Sequence, residues 1–500
     1  MLTRLKVEGF KNLVNVDVRF GPFTCIAGAN GVGKSNLLDA IAFLSGLADR
    51  PLVDAAMAVR DEEGRTGDIG SLFHRVGPRQ DPNMSFEAEM IVPPEGVDDL
   101  GQTARASITF LKYKLVLGHR KDEHRRSPGS IELVHEELSH VKIGDSGKHL
   151  RFPHDRNWQK SAVTGVRRTP NFISTDVVEG ARVIKIHQDG GSSGKPRPLL
   201  AANLPRTAVS AANAAESPTA MLARREMQSW KRLQLEPSAL RRPDSLNAPT
   251  KLGSDGSHLP ATLYDLAGIW HAEAGVRQSS AQVYTQVANR LSELIEDIDS
   301  VSVDRDEKRE LLTLQVTAKD GTTHPARALS DGTLRFLALA VIELDPESRG
   351  LLCLEEPENG IHPARIPAML RLLQDIATDA LRKVGDDNPL RQVIVNTHSP
   401  AVVAQVPDDC LVIADLKMVE RGGQWSKSLA LSCLPDTWRS VSKEMDVVRK
   451  GELLAYLNPI PRQKTLADFS YQQAHARQQL RRVIDRKDMQ LALGFKFDEE

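Results

Sequence analysis

The sequence predicts an α/β protein whose central sheet is largely parallel and covered on both faces. The apolar segment FTCIA, residues 23–27, runs straight into a glycine loop and then a helix. Two later segments, LLCLEE at 351–356 and QVIVNTH at 392–398, are apolar until their last residues. Buried parallel strands have this near-continuous apolar pattern, whereas strands with one solvated face alternate. The three segments therefore predict buried strands that end in polar loops.

The composition is that of a globular protein large enough for two or more domains. The chain has 500 residues, a formal net charge of -1 and 40% hydrophobic residues. With so little net charge, binding to nucleic acid would have to come from local patches. The first residues, MLTRLKVEGFKN, contain no apolar signal core, and no apolar run approaches membrane-spanning length. We expect a cytoplasmic protein without membrane contact.

Changes of pattern divide the chain into four segments. Residues 1–80 begin with an alternating antiparallel pair of strands and contain the glycine loop. Residues 81–300 are predicted as an insertion, β-rich and then helical. Residues 301–415 contain the two later apolar strands, and residues 416–500 form a C-terminal extension. Its basic helical stretch is either a solvated amphipathic helix or a contact for a phosphate backbone or a partner; the basic residues are Arg477, Arg481, Arg482, Arg486 and Lys487.

Two helices are predicted in the insertion. Ser217 and Pro218 form an N-cap and first-turn pair for a helix through Trp230. A second helix has apolar residues in steps of three and four, at Tyr284, Val287, Leu291, Leu294 and Ile298. These positions cover about two heptads, which is too short for a coiled-coil arm.

The glycine loop GANGVGKS, residues 28–35, fits the pattern GxxxxGK[ST] between a strand and a helix. In such a loop, backbone N–H groups at the helix N-terminus hold phosphate oxygens. Lys34 would reach the β- and γ-phosphates, and the Ser35 hydroxyl would ligate Mg²⁺. The loop therefore predicts a nucleoside triphosphate site.

Two later strands end in residues suited to hydrolysis. Glu355 and Glu356 follow an apolar strand in LLCLEEPENGIHP, where one carboxylate would face Mg²⁺ and the second would polarise the attacking water. His398 follows the other strand, where an imidazole could sense the γ-phosphate. A purely structural histidine is the alternative.

A second phosphate-binding device is predicted in ALSDGTLRFLALAVIEL, residues 328–344. It combines a Ser330-Asp331-Gly332 turn with the start of a long apolar helix. A serine hydroxyl and a glycine N–H at a helix N-terminus can bind phosphate, and an ordinary N-cap would give the same pattern.

In this order, the four pieces resemble the ABC-type AAA ATPase heads of the RecF, SMC and OLD group. They correspond to the phosphate loop, the signature, the metal strand and the switch histidine of those heads, over roughly residues 1–80 and 300–415. The resemblance implies an α/β P-loop NTPase fold, that is, an ABC-type head with an antiparallel β subdomain and a mixed β and helical insertion. It also implies ATP and Mg²⁺ as the ligands.

The resemblance implies that two copies pack head to tail and trap two ATP molecules, so that ATP closes the pair and hydrolysis opens it. Ser330 and Gly332 of one copy would cap the γ-phosphate held by the other, and the segment 358–362 would cross to the partner. Glu356 would be the catalytic base and His398 the switch residue. Ser35 and Glu355 would hold the metal, and ATP would be bound by Gly28, Asn30, Gly31, Gly33, Lys34, Ser35 and Asn36.

The sequence departs from this family pattern at several places. Glu355 stands where aspartate is usual, and Asp331 replaces a glycine of the signature, so slow turnover is expected. The glutamine of the Q-loop is not placed, with Gln80 and Gln188 as candidates. Neither long coiled-coil arms nor the acidic pattern of a Toprim nuclease is recognised.

Four functions remain open. The first is an ATP-switched homodimer, or larger homo-oligomer, that senses or clamps DNA and works with a separately encoded effector nuclease or toxin in phage defence. The others are a RecF-like DNA-repair ATPase, a nucleotide-gated scaffold with little turnover, and a transporter ATPase, which the large insertion disfavours. Direct DNA contact could come from a basic patch diluted by acidic neighbours, formed by Arg120, Lys121, Arg125 and Arg126.

Overall fold

The apolar segments at 23–27, 351–356 and 392–398 contribute neighbouring strands to one sheet in the computed structural model. The structure describes residues 1–59, 69–120, 130–166, 171–189, 195–268, 280–421, 423–442 and 445–448. The predicted basic helix beyond residue 466 and the patch residues Lys121, Arg125 and Arg126 lie outside these ranges. None of the helices within them is both long and apolar enough to cross a membrane.

The described residues contain α-helices and β-strands in mixed order. The helices are α1 Lys34–Leu47, α2 Leu52–Met57, α3 Ser146–His149, α4 Arg156–Ala162, α5 Pro218–Gln228, α6 Pro237–Leu240, α7 Leu259–Gly268, α8 Ser280–Leu294, α9 Asp331–Leu344, α10 Ile366–Ile376 and α11 Pro400–Val403. The strands are β1 Leu2–Glu8, β2 Val16–Arg19, β3 Phe23–Ala27, β4 Arg75–Val76, β5 Arg79–Gln80, β6 Asn83–Ile91, β7 Glu95–Val97, β8 Thr103–Arg105, β9 Phe110–Arg120, β10 Ser130–His140, β11 Asn171–Val178, β12 Ala181–Ile186, β13 Arg197–Leu200, β14 Lys231–Leu233, β15 Asp244–Ser245, β16 Ile298–Asp306, β17 Leu311–Ala318, β18 Thr323–Pro325, β19 Gly350–Glu355, β20 Arg391–Thr397, β21 Leu411–Arg421, β22 Gln424–Cys433 and β23 Asp446–Val447.

The central sheet has seven strands in the order β14-β19-β20-β3-β21-β22-β23. The strands from β14 to β21 are parallel, and β22 turns back antiparallel to β21. All residues of β3 and β20 are buried, and the first five of β19 are. The predicted α/β architecture with a largely parallel, doubly covered sheet is therefore confirmed.

The second large sheet is antiparallel and has the order β13-β12-β11-β10-β9-β6-β1-β2. Along its strands, apolar and polar residues alternate, because only one row of side chains packs into the core. In that row, Leu5 of β1 lies between Val18 of β2 and Ala88 of β6. This sheet joins strands from both sides of the predicted boundary at residue 80, so the N-terminal lobe and the insertion share one core. The division into four segments stays a prediction.

Helix α1 packs between the two sheets. Its Phe43 ring stacks on Phe10 at 5.8 Å, and both rings contact Phe86 of the antiparallel sheet. Aromatic contacts of this kind add to the burial of apolar area. The phosphate loop is thus held at the start of a helix that is fixed on both sides.

A third sheet supports the predicted signature helix. It has the order β15-β17-β16, with β18 paired to β17, and it lies in the same core as α7, α8 and α9. Helix α5 ends at Gln228, two residues before the predicted end at Trp230. The prediction of helix at Ile298 is wrong, because α8 ends at Leu294 and Ile298 begins β16, where it faces Ala318. An apolar residue at this position satisfies both the helical spacing and the alternation of the strand that follows.

Gln392 connects the two large sheets. This fully buried side chain on β20 donates to the carbonyl oxygens of Leu2 and Gly21 at 2.7 and 2.9 Å, and it accepts from the Leu2 N–H at 2.9 Å. A buried backbone group without a partner costs about 1–3 kcal/mol. One amide therefore satisfies three backbone groups where the sheets meet.

The variant Gln392→Leu is expected to lower the free energy of unfolding by about 2–4 kcal/mol, because it leaves these backbone groups unpaired in the core. Urea unfolding followed by circular dichroism measures the change. The matched control is Gln405→Leu, whose glutamine is exposed, and it should stay within about 0.5 kcal/mol of the unmutated protein. Equal stability of the two variants would contradict this role of Gln392.

Candidate functional site

The phosphate loop joins β3 to α1, and its glycines are required by its geometry. Gly33, the N-cap of α1, has a left-handed backbone with φ of 109°. A side chain there would also collide with Asn12. At Gly28, a Cβ atom would collide with the carbonyl oxygen of Ala414 on β21. The loop is therefore held close to its neighbours, as a loop that wraps a ligand with backbone N–H groups must be.

The Asn12 side chain is hydrogen-bonded to both the phosphate loop and the start of α1. Its amide donates to the Val32 carbonyl oxygen at 2.9 Å and accepts from the Asn36 amide at 2.8 Å. Sequence reasoning did not find Asn12, because it lies in a turn before β2 that has no recognisable motif.

The Lys34 side chain lies back over the loop. Its ammonium donates to the carbonyl oxygens of Gly28 and Ala29 at 2.7 and 3.0 Å. Burial lowers the pKa of Lys34, although nearby carboxylates, first Glu356 and then Glu355, oppose this shift. The ammonium is therefore fixed inside the loop and partly desolvated. A phosphate that binds there would contact a poorly solvated cation.

The metal strand meets the loop at Ser35. The Ser35 hydroxyl donates to Glu355 at 2.9 Å, and Arg232 donates to the other oxygen of Glu355 at 2.6 Å. Arg232 also donates to Asp39 on α1 at 2.7 Å, and Lys11 binds the second oxygen of Asp39 at 2.7 Å. Sequence reasoning missed Arg232, since its strand has only three residues and no motif.

Ser35 and Glu355 fit the expected magnesium ion. A hydroxyl and a carboxylate oxygen in contact are the hard oxygen ligands that Mg²⁺ prefers, and Mg²⁺ is usually held by one or two protein ligands together with phosphates and water. The same two residues were predicted as metal ligands from the sequence.

Glu356 and His398 are in direct contact. The Nδ1 atom of His398 lies 2.6 Å from Glu356, and the Asn359 amide donates to the other carboxylate oxygen at 2.9 Å. Glu356 has a positive φ of 46°, and its N–H donates to the Asn396 carbonyl oxygen at 2.9 Å. Burial raises the pKa of Glu356, but the hydrogen bonds from Asn359 and His398 outweigh it and hold the pKa below its usual range. The carboxylate is therefore ionised and aimed by two neighbours.

Glu358 is buried beneath this pair. The Thr397 hydroxyl donates to one oxygen of Glu358, while the other oxygen has no hydrogen-bond partner. Burial raises the pKa of Glu358 above its usual value. The Thr397 oxygen in turn accepts from the Ser399 N–H at 2.9 Å. Thr397 thus fixes the backbone on either side of His398.

The predicted signature packs against the loop that follows the metal strand. A side chain at Gly332 would collide with the carbonyl oxygen of Gly360, which itself has a left-handed backbone. Ser330 caps α9 by accepting from the Thr333 N–H at 3.2 Å. The negative charge of Asp331 is paired with Arg241, which also donates to the Leu329 carbonyl oxygen. The negative charge that Asp331 brings to the signature is therefore compensated.

Most of the predicted residues line one cleft of about 390 Å³. Its lining consists of Asn30, Gly31, Gly33, Lys34, Ser35, Asn36, Glu355, Glu356 and Asn396. His398 joins it through Glu356, and Gly28, the first residue of the loop, is not in this lining. Ser330 and Gly332 lie at the N-terminus of α9 and are not in this lining.

A smaller neighbouring cleft of about 180 Å³ contains a glutamine that the sequence did not single out. Gln234 follows β14 and shares this cleft with Glu355, Glu356 and Arg335. Of the two earlier candidates, Gln80 donates to the Gly70 carbonyl oxygen at 2.9 Å, and Gln188 is exposed. Gln234 is therefore better placed for the Q-loop role than either of them.

Comparison with known proteins finds two family models. A model described as "AAA domain, putative AbiEii toxin, Type IV TA system" matches residues 176–404. A model described as "RecF/RecN/SMC N terminal domain" matches residues 1–58. The chain is also 41% identical over 64 residues to the DNA replication and repair protein RecF of two strains of Porphyromonas gingivalis. That alignment covers 13% of this chain and 18% of each relative, so the chain spans less than a fifth of their length.

Comparison with solved structures finds SMC heads among the matches. A head bound to the C-winged helix domain of ScpA is 14% identical, with a TM-score of 0.43, and the alignment covers 87% of this chain and 98% of that chain. The SMC head domain from Thermotoga maritima is 12% identical with a TM-score of 0.36, at the same coverage.

The variant Thr397→Val is expected to lower the free energy of unfolding by about 1–3 kcal/mol at neutral pH, because it removes the donor to buried Glu358. Folding raises the pKa of Glu358, so the stability from this group is full below the unfolded pKa and is lost as pH rises through the folded pKa. The Thr397 hydroxyl favours the ionised form and offsets part of that loss. The variant should therefore cost more at about pH 8 than at about pH 5.

Urea unfolding at both pH values measures this difference. Thr317→Val is the control, since its hydroxyl contacts only Thr323 on an exposed hairpin. A cost that is equal at the two pH values would contradict the coupling of Thr397 to Glu358.

Proposed function

We propose that this protein, which carries an ABC-type ATPase head of the RecF and SMC kind, binds ATP with Mg²⁺ and hydrolyses it slowly. The observation that carries the proposal is the cleft of about 390 Å³ in which Lys34 and Ser35 of the phosphate loop meet Glu355 and Glu356. Ser35 of the loop and Glu355 of the metal strand are 320 residues apart in the chain, and they meet where a phosphate and a metal would lie between them.

Binding would use the loop and the metal strand together. Backbone N–H groups at the start of α1 would hold the phosphates, and Lys34 would exchange its two loop carbonyl partners for phosphate oxygens. Ser35 and Glu355 would hold Mg²⁺, which neutralises phosphate charge when bound. Gln234 would complete the site from the neighbouring cleft.

Hydrolysis would depend on Glu356. Its carboxylate is ionised because Asn359 and His398 donate to it, so it can accept a proton from an attacking water. A carboxylate with a depressed pKa is a weak base, which agrees with slow turnover.

We further propose that two copies close head to tail around two ATP molecules. Ser330 and Gly332 lie at the N-terminus of α9, outside the cleft of their own chain, where the helix dipole favours an anion. The pairing of Arg241 with Asp331 removes the charge that would oppose a partner's γ-phosphate.

For the biological role, we propose an ATP-dependent sensor or clamp, acting on DNA and working with a separately encoded effector nuclease or toxin in phage defence. The description of the family model over residues 176–404 names a putative toxin and a TA system, and this favours a defence role. A RecF-like repair ATPase is the second candidate, favoured by the 41% identity to RecF over 64 residues and by the RecF/RecN/SMC family model over residues 1–58. A test that separates them compares binding to gapped and to intact duplex DNA with no second protein present. The RecF-like role requires a preference for the gap, and equal binding to both would favour the sensor or clamp.

The variant Glu356→Gln should bind Mg-ATP and release phosphate at least about 100-fold more slowly, because a general base contributes about 10²–10⁴-fold. With hydrolysis blocked, Mg-ATP should shift this variant to twice its nucleotide-free mass. Light scattering measures the mass, and a phosphate assay on variant and unmutated protein measures turnover.

The control is Glu347→Gln, which changes an exposed glutamate paired only with Lys251 and should leave turnover unchanged. If Glu356→Gln binds ATP while the unmutated protein also releases no phosphate, the protein is a nucleotide-gated scaffold instead. A mass that ATP does not change would contradict ATP-driven closure.

The trans arrangement can be tested by mixing two inactive variants. Lys34→Ala removes ATP binding from its own chain, and Ser330→Arg blocks the helix terminus offered to the partner. A mixed pair contains one site with both parts intact, so the mixture should regain part of the phosphate release that each variant lacks. If the mixture stays as inactive as its components, Ser330 does not act on the partner's ATP.

A further inference from the structure

Arg232 is a cation bound to the carboxylate that is predicted to face the metal. Its guanidinium bridges Glu355 at 2.6 Å and Asp39 at 2.7 Å, and its side chain is only 18% exposed. The remaining oxygen of Glu355 accepts from Ser35. Both oxygens of Glu355 therefore already have partners within the protein.

Three cations and four carboxylates of the described residues surround this site. The cations are Lys11, Lys34 and Arg232, and the carboxylates are Asp39, Glu355, Glu356 and the buried Glu358, whose pKa is raised by burial. Asp39 is fully buried and is shared between Arg232 and Lys11. Removing the charge of Arg232 would leave the Glu355 carboxylate beside Ser35 without its paired cation, the arrangement that attracts a divalent cation.

We propose that Arg232 is a positioning residue that occupies Glu355 in the nucleotide-free head and so prevents a divalent cation from binding there before ATP. This inference rests on the proposed function, in which Ser35 and Glu355 hold Mg²⁺ with ATP. The phosphates add the negative charge that favours a divalent cation, so metal and nucleotide enter together.

The placement of Arg232 gives this arrangement a fixed geometry. Strand β14 pairs with β19 so that Arg232 lies beside Cys353, two residues before Glu355 on the metal strand. Asp39 holds the guanidinium from α1, the helix that begins at the phosphate loop. Because Arg232 keeps Asp39 as a partner when Mg²⁺ takes Glu355, its charge remains compensated in both states.

The test titrates nucleotide-free protein with Mn²⁺ as a probe. The electron paramagnetic resonance signal of free Mn²⁺ falls as the ion binds, so it measures binding. Unmutated protein should bind no Mn²⁺ in the cleft at micromolar concentrations. Arg232→Gln should gain one site per chain, with affinity raised roughly tenfold or more. Arg232→Met removes the same charge while keeping the apolar stem, and it should gain the same site. Circular dichroism confirms that each variant is folded.

Three controls locate the effect. Arg232→Gln combined with Glu355→Gln should lose the site again, since no carboxylate remains beside Ser35. Arg232→Lys keeps the charge and should bind as little as unmutated protein. Arg290→Gln removes an arginine that bridges Glu343 and Asp375 on the far helices, and it should gain nothing.

The proposal is overturned if neither Arg232→Gln nor Arg232→Met binds Mn²⁺ more tightly than unmutated protein, or if the gained site survives Glu355→Gln. Failure of the proposed function would be seen in a different measurement. It would appear as the absence of fluorescent ATP-analogue binding by unmutated protein with Mg²⁺, whereas the Mn²⁺ titration contains no nucleotide.

Discussion

The parallel pairing of β20 with β19 on one side and β3 on the other is the interaction on which the rest of the site depends. Strand β3 ends at residue 27, and strand β19 begins only at residue 350. Because parallel strands present their carboxyl ends at the same edge, the loops after the three strands meet there. Pairing in the wrong register by one residue would turn Glu355 from the cleft to the opposite face.

Charge is distributed around this edge in a way that suits a ligand with several negative charges. Lys34 in the cleft and Arg232 beside it are each already bound to oxygens of the protein, Lys34 to its own loop and Arg232 to two carboxylates. Such pairs are not strong sources of stability when they are partly buried, because removing water from the charges offsets their attraction. They keep the cations in place, so a phosphate has only to exchange partners.

The sequence predicted those parts of the site that lie in short motifs attached to strongly apolar strands. The phosphate loop, the two carboxylates and the switch histidine come directly after such strands, and the structure brings them together. Arg232, Gln234 and Asn12 could not be predicted in this way, since each lies in a short or irregular segment and its role depends on pairing with a distant strand. The same limit explains Ile298, where one apolar residue fitted both a helix and a strand. The sequence also did not predict that the N-terminal strands and the insertion share one antiparallel sheet. Alternation shows that a strand has one buried face, but it does not show which strand it pairs with.

The position of β3 has a consequence for the synthesis of the chain. Both neighbours of this strand, β20 and β21, lie near residue 400, and every residue of β3 is buried between them. At about 5–20 residues per second, a ribosome needs roughly 20–80 s to produce them after β3 has been made. Throughout this time FTCIA has two unpaired edges and no polar side chain larger than threonine to discourage pairing with other chains. The nascent protein therefore depends on early burial of the antiparallel sheet, or on a chaperone, until its last third has been made.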